Sequence, residues 1–326
     1  MKDQFGRRID YLRISVTDKC NLRCAYCMPV EGLPWIPRAD LLTYEEIAEV
    51  VGQMADMGLR RVRLTGGEPL VRRDLPDLVR RLRLVEAIED VSLSTNAILL
   101  DGLADELRAA GVDRLNISLD TLRRSRFADL ARRPERFFDA TMVGIDAAER
   151  AGFHPLKINV VVMRGFNDDE LMDFAGMTRE RPWHVRFIEL MPTEDNLFLS
   201  DRFVSSDELL SRLGSDAELQ PVQGPPGNGP AKYFQLPGAR GTVGVITPLS
   251  HNYCNACNRV RLTADGRLRT CLFGTHEVDL KGPLRATGDV TAAVQEALAG
   301  KPERHFLRLG TASGSGGLSA LSQVGG

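Results

Sequence analysis

Tyr11-Leu-Arg-Ile-Ser-Val16-Thr-Asp-Lys-Cys20-Asn-Leu-Arg-Cys24-Ala-Tyr26-Cys27 is the stretch whose reading decides the fold. Residues 11–16 read as a strand, and the chain leaves it directly into three cysteines spaced C-x3-C-x2-C. The same order, a strand and then polar residues at its C-terminal end, recurs through the first two-thirds of the chain. Further strands are predicted at 61–64, 91–94, 114–119, 156–163 and 184–190. The polar runs that follow or close them include Gly66-Gly67-Glu68-Pro69, Ser94-Thr95-Asn96, Ser118-Leu-Asp120 and Glu189-Leu-Met191. Helical patterns lie between. Thr43-Tyr-Glu-Glu46 forms a capping box before Ile47, Val50, Val51 and Met54, and Asp74 opens a helix striped by Leu75, Leu78, Val79 and Leu82. Helices also fit 100–110, 134–151 and 168–181, and Gly58, Gly111 and Gly152 stand where C-cap glycines belong. Six strand–helix units predict an α/β fold with a parallel sheet and right-handed crossovers. Six is fewer than the eight of a closed barrel, so the expectation is a partial (βα)6 TIM-like barrel, with a doubly wound sheet as the alternative. In barrels of this kind the strands' C-terminal edge carries the active site.

The run PVQGPPGNGP at 221–230 breaks the repeat and reads as a loop or boundary. The expected division is therefore residues 1–220 and residues 221–326, the latter a C-terminal α+β region. Short strands are predicted there at 241–246 and 258–262, and a capped helix at 289–298. The tail from Thr311 is small and polar, a composition that by itself predicts disorder.

The chain has 326 residues, 43% hydrophobic and 26% charged, which describes a soluble globular protein. A formal net charge of −2 provides no global field for nucleic acid. No apolar run is long enough for a transmembrane helix, and the N-terminus lacks a signal-peptide core, so the expected location is cytoplasmic with no membrane association. All six cysteines fall into two triads, Cys20, Cys24, Cys27 and Cys254, Cys257, Cys271. In a reducing compartment such clusters indicate metal ligands rather than disulfides. Three thiolates at close spacing suit an iron–sulfur cluster with one open iron. Structural zinc would need a fourth ligand, and His251 or His276 could complete the second triad in that alternative.

Cys20-x3-Cys24-x-Tyr26-Cys27, followed one strand–helix unit later by Gly66-Gly67-Glu68-Pro69, resembles the signature of radical S-adenosylmethionine (SAM) enzymes. The resemblance implies a [4Fe–4S] cluster on Cys20, Cys24 and Cys27, with SAM chelating the fourth iron. Glycines would allow a close backbone approach to that small ligand. Cys254-Asn-Ala-Cys257-Asn-Arg-Val-Arg261, with thirteen residues between Cys257 and Cys271, narrows the likeness to the GTP 3′,8-cyclase family, which opens molybdenum cofactor biosynthesis. It extends over nearly the whole chain: YLRISVTDKCNLRC, GGEP, NISLD, KINVVVMRGFN, RFIELM, CNACNRVRL and the terminal Gly325-Gly326.

This second likeness implies a further [4Fe–4S] cluster on Cys254, Cys257 and Cys271, its open iron binding the guanine base. It implies SAM contacts at Tyr26, Gly67, Ser118 and Met191. It implies GTP contacts at Arg13, Arg63, Ser94, Lys157, Arg259, Val260 and Arg261, with Arg61 and Arg186 as further triphosphate contacts. Ser94 stands where the family has a threonine. The strand-borne cations also make chemical sense: cations buried near a barrel mouth call for anions, and both arginine and lysine suit phosphate. Ordinary salt bridges are the alternative for each. The implied catalytic role of Gly325 and Gly326 is to reach into the active site. The implied reaction is a radical cyclisation of GTP to (8S)-3′,8-cyclo-7,8-dihydroguanosine 5′-triphosphate: a 5′-deoxyadenosyl radical from SAM takes the C3′ hydrogen, and the ribose radical attacks C8. Implied partners are an electron donor, the downstream cyclic pyranopterin monophosphate synthase and a second copy of the chain in a homodimer. A two-cluster radical SAM enzyme acting on a peptide, an electron-transfer iron–sulfur protein and a zinc protein are the competing classes.

Overall fold

Period-two alternation organises the strands. In β1 (Tyr11–Ser15), Leu12 and Ile14 join the hydrophobic core, whereas Tyr11 and Arg13 face inward and line a cavity. The computed structural model describes residues 1–192, 194–216, 218–225, 229–305 and 307. After β1 come α1 (Tyr44–Asp56), β2 (Arg61–Thr65), α2 (Leu75–Arg83), β3 (Asp90–Thr95), α3 (Ala104–Ala110) and β4 (Arg114–Ser118). Then follow α4 (Arg124–Ala131), α5 (Arg136–Arg150), β5 (Lys157–Val162), α6 (Leu171–Glu180), β6 (His184–Glu189) and α7 (Ser206–Asp216). The C-terminal part adds β7 (Gln220–Val222), β8 (Lys232–Gln235), β9 (Thr242–Ile246), β10 (Arg259–Leu262), β11 (Arg267–Arg269) and β12 (Glu277–Asp279), then α8 (Lys281–Thr287) and α9 (Thr291–Ala299).

β1 to β6 are parallel neighbours in chain order, as the repeat predicts. The C-terminal segment lengthens this sheet at both edges, because β9 pairs in parallel with β6 and β10 in parallel with β1. β11 and β12 continue outward antiparallel from β10, and β8 and β7 from β9. The sheet order is β12-β11-β10-β1-β2-β3-β4-β5-β6-β9-β8-β7, so among the described residues β9 and β10 do not pair and the barrel is not closed by hydrogen bonds. One core spans both parts of the chain, containing Leu12 and Leu64 together with Val260 and Val294.

Most local signals hold; α4 has no counterpart among the predicted helices, and three further differences stand out. The capping box is formed: Thr43 Oγ1 accepts from the Glu46 N–H, and Glu46 Oε2 accepts from the Thr43 N–H. Gly58, Gly111 and Gly152 take φ of 108°, 110° and 80°, the left-handed region that suits a helix end. The first difference is Asp74, which precedes α2 with φ 57° and makes no side-chain cap bond. The second is the predicted helix over 100–110, which is a 3-10 turn at Leu100–Gly102 followed by α3. The third is the run at 221–230, whose Pro221 and Val222 belong to β7, the antiparallel partner of β8.

Candidate functional site

The loop after β1 carries the first triad and is fixed on two sides. On one side Arg23 and Ala25 donate their backbone N–H groups to the Ala131 and Leu130 carbonyls at the end of α4, at 3.0 and 2.9 Å. On the other lies the glycine turn after β2, where Gly67 N–H donates to Thr17 O at 2.9 Å and Glu68 N–H to Lys19 O at 2.8 Å. Side chains do not fit here: a Cβ on Gly66 would stand 2.3 Å from Thr17 O, and one on Gly67 would stand 2.3 Å from Lys19 O. The close approach these glycines permit is therefore between two stretches of backbone, the turn and the cysteine loop. Glu68, only 1% exposed, ties the turn to β3 by accepting from Thr95 Oγ1 at 2.7 Å and from the Asn96 N–H at 2.7 Å. Burial pushes its carboxyl up to about 7.

Cys20, Cys24 and Cys27 are free thiols lining one cavity with Gly67. Burial pushes the Cys20 thiol up to about 12, helped by the Glu68 charge and by Cys27, while Cys24 is raised by burial, Asp120 and its two companions. Three thiolates crowded beside two acids repel one another, and a bound cationic cluster is the group that relieves this. The donor set thus fits an iron–sulfur cluster. Among the described residues no three His, Cys, Asp or Glu side chains are arranged to hold a single metal ion. Asp120, present in the sequence only as the end of a polar run, proves central: its carboxylate accepts from Tyr26 Oη at 2.8 Å and from the Val161 N–H at 2.8 Å, and burial pushes it up to about 6.

The second triad is assembled by a hairpin. Cys254 opens a short 3-10 turn, Cys257 ends two residues before β10, and Cys271 follows two residues after β11. Because β10 and β11 are antiparallel, with Arg261 opposite Arg269, the thirteen-residue spacing returns the chain to the end of the sheet where it began. Burial raises Cys254, with Cys271 and Cys257 adding to it. Burial pushes Cys257 the same way, but the Lys301 ammonium, the Arg259 backbone N–H and the Arg259 charge outweigh it and leave this thiol lowered.

A larger cavity joins the two triads. Its lining includes Cys254, Cys257 and Cys271, and it shares Tyr26, Ser94, Ser118 and Asp120 with the cavity of the first triad. A TIM barrel ordinarily fills its interior with branched apolar side chains. Here the inward positions are polar and cationic: Arg13, Arg63, Arg186, Arg259 and Arg261 all line the cavity. The guanidiniums of Arg63 and Arg259 each lie 5.5 Å from the Tyr11 ring centroid. Burial lowers Arg186 and Arg261 to about 10, and Arg63 also falls, chiefly through burial.

Met191 also lines the larger cavity. Lys157 is buried at the start of β5, outside the lining residues but near enough to the cation cluster that burial, Arg186, Arg114 and Arg63 bring it down to about 6. Two expected contacts sit elsewhere. Arg61, at the start of β2, pairs with Asp10 at 2.9 Å and Glu89 at 3.3 Å and lines neither cavity. Val260 alternates with Arg259 and Arg261, so its side chain enters the core. Gly325 and Gly326 lie outside the described residues. Asp120, Tyr11 and Tyr253 line the cavity without having been expected as site residues.

Two family profiles match the chain: Radical SAM superfamily over residues 14–177 and Molybdenum Cofactor Synthesis C over residues 183–307. The GTP 3′,8-cyclase of Moorella thermoacetica is 46% identical over 329 residues, spanning all of both chains. That of Heliobacterium modesticaldum is 47% identical over 312 residues, 94% of this chain and 95% of its own. Among solved structures, Streptococcus suis SuiB bound to S-adenosylmethionine superposes with a TM-score of 0.60 at 12% identity, covering 88% of this chain and 68% of SuiB. At that identity the likeness concerns the fold alone.

Proposed function

The chain belongs to the GTP 3′,8-cyclase family of radical SAM enzymes, and from that premise we propose how its residues divide the work. The enzyme cyclises GTP to (8S)-3′,8-cyclo-7,8-dihydroguanosine 5′-triphosphate by radical SAM chemistry, using SAM and an iron–sulfur cluster, in the first step of molybdenum cofactor biosynthesis. In our reading there are two [4Fe–4S] clusters. Cys20, Cys24 and Cys27 hold the one that binds SAM; Cys254, Cys257 and Cys271 hold the one that meets the guanine. Residues 1–220 serve the first and residues 221–326 the second.

When bound, the first cluster supplies the reducing electron that opens the carbon–sulfur bond of SAM. The chain supplies position and dryness. Tyr26, held by Asp120, and Ser118 stand in the throat shared by the two cavities, where SAM and the ribose have to meet. Gly67 and Met191 complete the SAM contacts, and Ser94 a contact to GTP. Arg13, Arg63, Arg186, Arg259 and Arg261 take the triphosphate, with Lys157 beneath them. Val260 completes the proposed GTP contacts through its backbone, while Arg61, paired with Asp10 and Glu89 outside both cavity linings, adds its charge to the field the triphosphate meets. Ile188, Ile246 and Phe273 give the larger cavity apolar lining, which excludes water and so strengthens the cation–phosphate contacts made inside it. Gly325 and Gly326 enter the site in this reading. An electron donor, the downstream cyclic pyranopterin monophosphate synthase and a second copy of the chain in a homodimer complete it.

The observation that carries the reading is the shared lining: two cysteine triads open onto adjoining cavities with Tyr26, Ser94, Ser118 and Asp120 in common, the larger also lined by five strand-borne arginines. Anaerobic reconstitution should yield about eight irons per chain, four for each triad. Replacing Cys254, Cys257 or Cys271 by alanine should abolish GTP-dependent 5′-deoxyadenosine formation while SAM binding persists. Loss of both would assign the second triad a folding role instead.

A further inference from the structure

Lys301 follows α9 and is 2% exposed, a rare position for an ammonium. Its three N–H donors match three acceptors: Cys257 Sγ at 3.6 Å, Arg259 O at 3.1 Å and Thr270 O at 2.5 Å. The three belong to different pieces of the second site: the C-x2-C turn, the first residue of β10, and the residue before Cys271. Two acceptors are neutral carbonyls. The sulfur is the one that can carry negative charge, and a buried cation needs such a partner.

The segment bearing Lys301 is held independently. Arg7 donates to Glu303 O at 2.8 Å and Pro302 O at 2.7 Å, and also to Cys254 O at 2.9 Å, while Gln4 donates to Lys301 O at 3.2 Å. Two cations therefore grip the C-x2-C turn, Arg7 at the Cys254 carbonyl and Lys301 at the Cys257 sulfur. Around the first triad Arg133 donates to Asn21 O at 2.7 Å and Arg132 to Met28 O at 3.0 Å, and the charged neighbours of its thiols include the acids Glu68 and Asp120 besides Arg133.

We propose that Lys301 is a positioning residue of the second triad: its buried charge sets the Cys257 sulfur in place and makes the cluster held there easier to reduce. The inference rests on the two-cluster reading above. Sulfur-directed hydrogen bonds and nearby charge are among the factors that set iron–sulfur potentials.

The test uses the full chain with Cys20, Cys24 and Cys27 all replaced by alanine, so that only the second triad can bind a cluster. After anaerobic reconstitution it should bind about four irons; binding none would overturn the two-cluster reading and this inference with it. Redox titration followed by electron paramagnetic resonance then compares Lys301 with Lys301→Met and Lys301→Arg in that background. The expected result for Lys301→Met is at least a tenfold loss in the reduction equilibrium constant, about 59 mV toward negative potential for one electron. Lys301→Arg should keep the parental potential. An unchanged potential in Lys301→Met refutes the inference alone, leaving the two-cluster reading intact. If Lys301→Met fails to hold iron, retention by Lys301→Arg supports a charge role, and loss in both overturns it.

Discussion

Lys157 offers a direct test of the proposed triphosphate site, because it is a buried cation beside the arginine cluster whose charge changes near neutral pH. Burial and the neighbouring Arg186, Arg114 and Arg63 lower it from 10.5 to about 6. At pH 8 a group with that pKa is only about 1% protonated. A triphosphate laid across the cluster reverses the sign of the local field and favours the charged amine. If the pKa in the complex exceeds about 9, the group becomes roughly 90% protonated, so GTP binding takes up about 0.9 proton at pH 8. The phosphates themselves are already fully ionised at that pH. Two opposite slopes follow. GTP affinity falls as pH rises above about 6, by up to about tenfold per unit, until the bound-state pKa is reached. Stability of the ligand-free fold moves the other way: the unfolded chain binds this proton more tightly, so the Lys157 contribution rises with pH between about 6 and 10.5. The assay is calorimetric titration of GTP at pH 8 in buffers of differing ionisation enthalpy. Lys157→Met should remove the uptake. A wild-type uptake below about 0.2 proton per GTP would refute the reasoning.

Arg63→Ala removes one charge-assisted phosphate donor, worth about 1.5–3 kcal/mol; the dissociation constant for GTP should rise roughly 10- to 150-fold while that for guanosine barely moves, and equal losses for both would count against triphosphate binding. Gly67→Ala places a Cβ 2.3 Å from Lys19 O and must displace the cysteine loop; iron analysis should show the first cluster lost and the second retained, and a full complement of iron would contradict the packing argument. Deleting Gly325 and Gly326 should cut GTP turnover without changing iron content, and unchanged turnover would exclude the tail from the reaction.

The parallel sheet was legible because each of its first six strands carries its own local pattern and is followed by a helix. What joins the C-terminal part to it was not. β10 pairs with β1 across more than two hundred residues, and such a partner leaves no trace in the local sequence. α4 escaped notice because its N-terminus has no side-chain cap and its first residues are Arg124, Ser125 and Arg126. The cysteines as metal ligands were legible from residue type and spacing; the glycine turn and the strand-borne arginines took on a meaning only beside the family resemblance, since each arginine alone could equally make an ordinary salt bridge. Arg61 was harder, since its partners Asp10 and Glu89 come from separate segments that meet only in the fold. Lys301 carried no signal at all: one lysine after a helix is ordinarily solvated, and its acceptors are backbone carbonyls and a sulfur brought to it by the hairpin.

The pairing of β10 with β1 also has a meaning in time. During synthesis one edge of β1 lacks its neighbour until β10 emerges, a wait of 259 − 15 = 244 residues. At about 5–20 residues per second, that edge stays open for roughly 12–50 s. The loop bearing Cys20, Cys24 and Cys27 can dock once α4 has formed, well before the second triad leaves the ribosome. While the nascent chain waits for β10, its second cysteine triad is unassembled and the open edge of β1 is available for mispairing. Slowing translation between β9 and β10 should lengthen that wait and lower the soluble yield.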